Sequence, residues 1–249
     1  MIHLKTEAEL RSMEQANKIV WRVLNGLAAE TQPGVTIRDL DTMAERWSLE
    51  MGGVPAFKGY RGYPASVCIS VNEEVVHGIP GTRKLKEGDI VSMDFGVKLD
   101  GFYGDSAITV PVGEIDDDAK RLLDVTKKAL MKGIGAMKEG NRVSDVSHAV
   151  QTYVEAEGYS VVRDFVGHGI GRALHEEPQV PNFGGAGTGP KLQPGLVLAI
   201  EPMVNEGGHE VTVDGDGWTV RTKDGSRSAH FEYSVAMTPS GPRILGVEA

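Results

Sequence analysis

Asp94 and Asp105 frame a segment whose midpoint, Asp100-Gly101, is the strongest short-range signal for a two-residue hairpin turn. With those residues as the loop, Leu99 pairs with Phe102 and Gly96 lies opposite Asp105. Asp94 then points to the same face as Asp105, a diagonal neighbour about 7–8 Å away at the backbone, and Gly96 leaves the space between them empty. Carboxylates converging from that spacing could embrace two cations about 3.5–4 Å apart, the separation of two-metal hydrolase sites. Taken alone, two surface aspartates on a solvated strand are the plainer account. A repeat changes the balance. Leu85–Asp94 and Leu192–Glu201 lie about 107 residues apart, and each carries a Leu, a Gly three residues on, an apolar run and a carboxylate six residues after the Gly. Asp94 and Glu201 therefore end equivalent strands and face each other across one central site. Charges at the ends of buried strands need compensation, and two carboxylates brought together from distant sequence need a cation.

The segment Gly167-His168-Gly169-Ile170-Gly171 runs on to His175. Its alternating glycines exclude a stable helix and permit close backbone approach, so a strand end or tight loop presents His168 and His175. It is neither the helical His-Glu-x-x-His zinc motif nor a dinucleotide fingerprint. Two histidines in a glycine-lined segment, in the same half as Glu201, favour metal binding or catalysis over loop hydrogen bonding. Glu232 lies in a stretch whose alternation puts His230, Glu232, Ser234 and Ala236 on the less bulky face, free to face a site. His77, ahead of a Gly/Pro loop, reads most plainly as a surface histidine. Gly104-Asp105-Ser106 lacks the partners of a serine esterase. Gly184–Gly189 is followed by Pro190 rather than Lys and reads as a flexible surface loop. Cys68, amid apolar neighbours, reads as a buried small hydrophobe.

The elements that must position these groups follow from periodicity. Apolar residues at helical spacing predict helices over Thr6–Ala29, Thr36–Met51, Asp116–Met137 and Val143–Glu157. Strands are expected over Ala65–Ser70, Ile90–Leu99, Phe102–Val110, Leu196–Ile200, His209–Val213, Trp218–Thr222 and Ala229–Thr238. Upstream of the paired strands, Gly34–Leu40 resembles Gly140–Val146, and Gly52 corresponds to Gly158. Each half thus supplies two helices and then strands, and no Pro/Ser-rich linker separates them. One domain over residues 1–249 is expected, made of pseudo-symmetric halves of about 1–110 and 111–249.

At 249 residues the chain can bury a substantial core, and its net charge of −9 argues against nonspecific nucleic-acid binding. The single Cys68 excludes an intrachain disulfide and a cysteine-based zinc cage. A charged N-terminus and the lack of any long apolar run point to a cytoplasmic protein, with no membrane partner.

Together, Asp94, Asp105, His168, Glu201 and Glu232 resemble the five-ligand set of the methionine aminopeptidases. Longer strings carry the likeness: Ser66–Ser70, Val76–Pro80, Asp100–Asp105, Gly167–Arg172, His175–Val180, Ile200–Met203 and Thr222–Asp224. The resemblance covers nearly the whole chain and is similar to the short type I form, without an N-terminal extension. It implies an α+β, pseudo-two-fold symmetric pita-bread fold, a curved antiparallel sheet with helices packed on its outer face. It implies two divalent metal ions per chain, cobalt, manganese, iron or zinc, with Asp94 on one, His168 and Glu201 on the other, and Asp105 and Glu232 bridging. Glu201 would shuttle a proton, His175 would donate to the carbonyl oxygen and His77 would contact the scissile nitrogen. Phe57, Tyr60, Tyr63, Cys68, Leu174 and Trp218 would wall a slot for the methionine side chain. Phe57 and Leu174 depart from the enterobacterial pattern, where a Cys and a Phe often stand.

The implied activity is removal of the initiator methionine from nascent proteins, with preference for a small second residue. The implied partners are nascent polypeptides and, transiently, the ribosome, with a monomer expected. The competing readings are a proline-directed peptidase of the same fold and a catalytically dead binding protein.

Overall fold

In the computed structural model, which describes residues 2–247, the four helices begin where capping chemistry starts them. α1 (Glu7–Glu30) is capped by Thr6, whose hydroxyl accepts the Glu9 N–H while the Glu9 carboxylate accepts the Thr6 N–H. α2 (Ile37–Glu50) repeats the device with Thr36 and Asp39. The Asp116 carboxylate caps α3 (Asp117–Ala136) by accepting the Ala119 N–H, and α4 (Val143–Ala156) opens at Arg142. All four fall within one residue of the spans that periodicity predicts.

The strands are β1 (Val54–Pro55), β2 (Cys68–Val71), β3 (Ile90–Leu99), β4 (Phe102–Pro111), β5 (Ser160–Val161), β6 (Gly167–Gly169), β7 (Glu176–Val180), β8 (Val197–Ile200), β9 (Met203–Asn205), β10 (Val211–Val213), β11 (Val220–Thr222), β12 (Ser228–His230), β13 (Glu232–Thr238) and β14 (Gly241–Ile244). One antiparallel sheet takes the path β1-β3-β4-β13-β8-β6-β7, with β2 beside β3 and β14 beside β13. The strands of the sequence repeat, β3 and β8, thus share a curled sheet, with β4 and β13 between them. Glycines related by the repeat adopt the same left-handed backbone: φ is 92° at Gly34 and 91° at Gly140, 83° at Gly52 and 85° at Gly158, and 90° at Gly88 and 92° at Gly195.

Alternation along the strands separates core from site. In β3, Val91, Met93, Phe95 and Val97 pack with Val20, Leu24, Leu27 and Leu40 of α1 and α2. In β8 and β13, Leu198, Ile200, Val235 and Met237 pack with Leu130, Ile134 and Val146 of α3 and α4. Burying each such side chain contributes roughly 1.5–3 kcal/mol before entropy is counted. The intervening residues, among them Asp94, Asp105, Ala107 and Glu232, are left to the opposite face.

The expected Ala229–Thr238 strand is two strands in different sheets. Phe231 breaks the run, its N–H donating to the Pro202 carbonyl at 3.4 Å, and His230 leaves for a three-stranded sheet with β9 and β5. The Ala65–Ser70 strand starts only at Cys68, and His209 and Trp218 lie in the turns ahead of β10 and β11. The short strands β1, β5, β7, β9 and β14 have no counterpart in the sequence reading. With two to five residues each, they are set by distant partners rather than by local alternation. The Gly184–Gly189 loop is largely exposed but tied to α4, with the Asp145 carboxylate accepting the Gly187 N–H at 2.8 Å.

α1 lies directly on β4. A side-chain carbon at Gly104 would meet the backbone of Asn17 at 2.7 Å and Ala16 at 2.9 Å, so only glycine allows this approach. Gly104→Ala is expected to lift α1 from the sheet and cost about 1–3 kcal/mol, read as a lowered urea midpoint with unchanged slope. An unchanged midpoint would contradict the contact.

Candidate metal centre and active site

The β3–β4 hairpin forms as the Asp-Gly dipeptide dictates. Leu99 pairs with Phe102 and Gly96 with Asp105, while Asp100 and Gly101 take φ of 48° and 83°, the left-handed pair that this turn requires. Asp94 pairs with Cys68 on one side and Ala107 on the other, and Ala107 in turn pairs with Glu232. Because Tyr233 pairs with Ile200, the next residue, Glu201, comes alongside Glu232. One row across the sheet therefore carries Asp94, Ala107, Glu232 and Glu201. A second row, two residues along the strands, carries Gly96 and Asp105, then Ser234, Ala199 and His168. The Ser234 hydroxyl locks the seam between the halves, accepting the Asp105 N–H at 3.3 Å and donating to its carbonyl at 2.9 Å. Small residues stand between the ionisable ones in both rows, so the long side chains converge over them.

Gly96 does not leave an empty gap. A side-chain carbon there would lie 2.8 Å from the Phe57 ring and 3.2 Å from an Asp105 oxygen, so the glycine lets that ring approach the carboxylate. Gly167 and Gly169 similarly let β6 pass close to the backbone of Ala199 and Glu177, which seats His168. His168 Nδ1 is 2.9 Å from the Gly169 carbonyl. Donation there fixes the tautomer that leaves Nε2 as a free acceptor, the form a metal needs. Nε2 lies 3.6 Å from Glu201, and donor atoms of Asp105, His168 and Glu232 lie within 4.8 Å of one another.

Asp105 and Glu232 are 3% and 2% exposed. Oxygens of Asp94, Asp105 and Glu232 are buried without any hydrogen-bond partner, an arrangement that a protein tolerates only where something else supplies positive charge. Burial pushes Asp94 up to about 7. Asp105, Glu201 and Glu232 are held well above the usual carboxylate range, by burial first and then by neighbouring carboxylate charge. Four carboxylates and one neutral imidazole at this separation fit divalent cations, and the mixed oxygen and nitrogen donors suit several of them.

The donors form one wall of a cavity of about 150 Å³, and Phe57, Tyr60, Tyr63, Cys68, Leu174 and Trp218 line the rest with His77 and His175. Trp218 meets Tyr63 edge-on with ring centroids 5.2 Å apart. His77 is held in a left-handed backbone, φ 60°, with its ring edge-on to Phe165 at 5.3 Å. Such strain persists only where the surroundings impose it. His77 does not sit in the open as a surface loop histidine would, because burial and then His175 depress its pKa to about 4. His175 Nδ1 is 2.8 Å from the Tyr60 hydroxyl, and its ring lies 4.2 Å from that of His168.

Every residue singled out from the sequence as a site candidate therefore reaches this one cavity. Two neighbours were missed. Arg61 lines the cavity mouth, and the flanking Gly59 and Gly62 of its loop are the only local sign of it. His230 is buried with neither ring nitrogen hydrogen-bonded, and its Nε2 is 3.8 Å from Glu201. Alternation placed it beside Glu232 along one strand, but it approaches from the smaller sheet instead.

A model of metallopeptidase family M24 matches residues 11–239. Methionine aminopeptidase 1 of Bacillus subtilis is 53% identical over 245 residues, covering 98% of this chain and 99% of that protein. The crystal structure of a methionine aminopeptidase from Thermotoga maritima superposes with a TM-score of 0.98 at 49% identity, covering 100% of both chains. A prolidase from Pyrococcus furiosus shares the fold alone, with a TM-score of 0.80 at 20% identity, over 99% of this chain and 66% of that one.

The shifted groups set a pH signature for the metal-free protein. Carboxylates with raised pKa are protonated in the folded state but ionised in the unfolded one, so their contribution to stability is lost as pH rises toward and through the folded values. Buried histidines with lowered pKa, His168 and His230 at about 3, oppose this trend only below their unfolded pKa of about 6.5. Between pH 6.5 and 8.5 the carboxylates act alone. The chelator-treated protein should lose melting temperature across that window, and a divalent ion should restore it. A flat profile would mean that burial does not raise the proton affinity of these carboxylates.

Proposed function

We propose that this chain, which belongs to metallopeptidase family M24, is a metal-dependent aminopeptidase that removes the initiator methionine by hydrolysing the first peptide bond. One observation carries the reading: a single cavity has unpartnered buried carboxylates on one wall and an aromatic, apolar slot on the other. The carboxylate wall suits dications. The slot suits a flexible thioether.

In this assignment Asp94, Asp105, His168, Glu201 and Glu232 would hold the two divalent ions. When bound, such a pair supplies Lewis acidity and a water that deprotonates near neutral pH. The residues supply the rest. Glu201 accepts a proton from the attacking water and returns it to the leaving amine. The Tyr60 hydroxyl donates to His175 Nδ1, which leaves the Nε2 N–H to meet the carbonyl oxygen as charge develops there. His77, kept neutral by burial, contacts the scissile nitrogen. Phe57, Tyr60, Tyr63, Cys68, Leu174 and Trp218 enclose the methionine side chain. The similarity to the methionine aminopeptidases implies a preference for a small second residue such as Ala, Gly or Ser.

We read residues 1–249 as one catalytic domain whose halves each contribute ligands. No helix among the described residues is long and apolar enough to cross a membrane. The substrates are nascent chains in the cytoplasm, met as a monomer during transient contact with the ribosome.

Chelation should abolish turnover, and add-back of manganese, iron, cobalt or zinc should restore it, with two ions per chain at full activity. Cleavage of Ala-Pro-Ala faster than Met-Ala-Ser would instead select the proline-directed alternative. Asp94→Asn should cut turnover and bound metal while raising the stability of the metal-free protein, because it removes the cost of burying an ionisable carboxyl. Full activity in that variant would contradict its role. His77→Ala should lower kcat roughly 10²–10³-fold with the fold intact, checked by steady-state kinetics beside the melting temperature.

A further inference from the structure

Arg61 is the one residue lining the cavity to which the chemistry above gives no task. Its loop projects it deliberately. Gly59 and Gly62, at φ 84° and 92°, bracket a left-handed Arg61 at φ 51°, a backbone that a non-glycine residue holds only against strain. The side chain is exposed, and its guanidinium lies 5.4 Å from the centre of the Tyr60 ring. No ion pair or hydrogen bond engages that guanidinium among the described residues, although most arginines of this chain that flank its loops do have one: Arg83 with Glu74, Arg172 with Glu9, Arg221 with Glu73 and Arg227 with Asp116. Among the residues lining the cavity, Arg61 alone carries a permanent positive charge. That charge is felt inside: after desolvation, it is the second cause that lowers the His175 pKa.

Arg61 and His175 are the exposed residues of the cavity lining, so they stand where the cavity meets solvent, and on the aminopeptidase reading a chain whose first residue is held inside leads out toward them. At a rise of about 3.3 Å per residue, the third residue of an extended substrate lies about 7 Å beyond the first, a distance that an arginine side chain at the rim can span. We propose that Arg61 is a specificity-determining residue that favours substrates with a carboxylate side chain, Asp or Glu, at the third position. The inference rests on the aminopeptidase reading above. The guanidinium is planar, always charged and already ordered against the Tyr60 ring, so pairing with a carboxylate costs it little mobility. It also offsets, at the mouth, the repulsion that a chain of net charge −9 presents to an acidic peptide.

The test uses the metal-loaded enzyme and C-terminally amidated Met-Ala-Xaa-Gly peptides with Xaa as Glu, Gln or Lys, at low and high salt. An exposed pair of this kind changes kcat/KM by roughly three- to tenfold at low salt. The Glu-to-Lys ratio of kcat/KM should therefore fall at least threefold in Arg61→Gln, fall further in Arg61→Glu, persist in Arg61→Lys and shrink with salt in the wild type. Gln imposes the same backbone demand as Arg, and melting temperatures check that the variants fold. A ratio that falls less than threefold in both Arg61→Gln and Arg61→Glu overturns the proposal. So does a response confined to the free-acid form of Met-Ala-Gly over its amide, because it would assign the contact to a chain-terminal carboxylate. Failure to cleave any of the peptides overturns the methionine reading and this one with it, whereas cleavage of all at unchanged ratios overturns this one alone.

Discussion

Four carboxylates are buried in one pocket, and the cost of burying them together is the constraint around which the rest of this fold is arranged. Asp94, Asp105, Glu201 and Glu232 come from four strands and both halves of the chain, and burial together with their own charges holds their proton affinity above the ordinary range. Such a cluster destabilises the protein unless cations neutralise it. The core beneath it has to absorb that cost. Helices α1 and α2 clamp one half of the sheet and α3 and α4 the other, with every second strand residue driven into the apolar layer. The apolar layer under the helices therefore lies on one face of the sheet and the carboxylates on the other, beside a second apolar cluster that includes Phe57, Tyr63 and Val197.

Convergence depends as much on small residues as on charged ones. Ala107, Ala199 and Ser234 sit between the ionisable residues in the two rows that cross the sheet. A larger side chain at any of them would occupy the volume in which the carboxylates meet. Gly167 and Gly169 act differently, letting β6 press against its neighbours so that His168 projects at the correct depth. The second wall of the pocket is assembled from loops instead of strands. Tyr60 and Arg61 come from a left-handed turn, His77 from a strained connection, and Trp218 from the turn into β11. Arg221 helps to hold that wall together, pairing with Glu73, Glu74 and Asp214 and so joining the Trp218 ribbon to the segment that leads into His77.

Much of this was legible from local pattern. Thr6, Thr36 and Asp116 mark helix starts by a hydrogen bond made within three residues, so their signal does not depend on the fold. Asp100-Gly101 specifies the hairpin register, and with it the partnership of Gly96 and Asp105, because a two-residue turn permits one register only. The repeat revealed that Asp94 and Glu201 are equivalent. By contrast, the break at Phe231 is invisible in a run that alternates on both sides of it. It arises because β9 and β8 claim the two parts of that run for different sheets. His77 misled for a related reason: its neighbours look like a surface loop, and only the rings of Phe165 and Trp218, far away in sequence, enclose it.

The sequence by itself determined the helices, the hairpin, the repeat that equates Asp94 with Glu201 and the residues that line the cavity, because each is encoded by spacing over a few residues, by comparison of one segment with another, or by resemblance to a known family. Tertiary structure alone decided how near the ligands stand, which carboxylate oxygens are left unpartnered, and which loop residues close the pocket. Those properties depend on the pairing of β4 with β13 at the seam and on loops packed against distant strands. Contacts of that kind are made by residues more than a hundred positions apart, and nothing in their local pattern announces them.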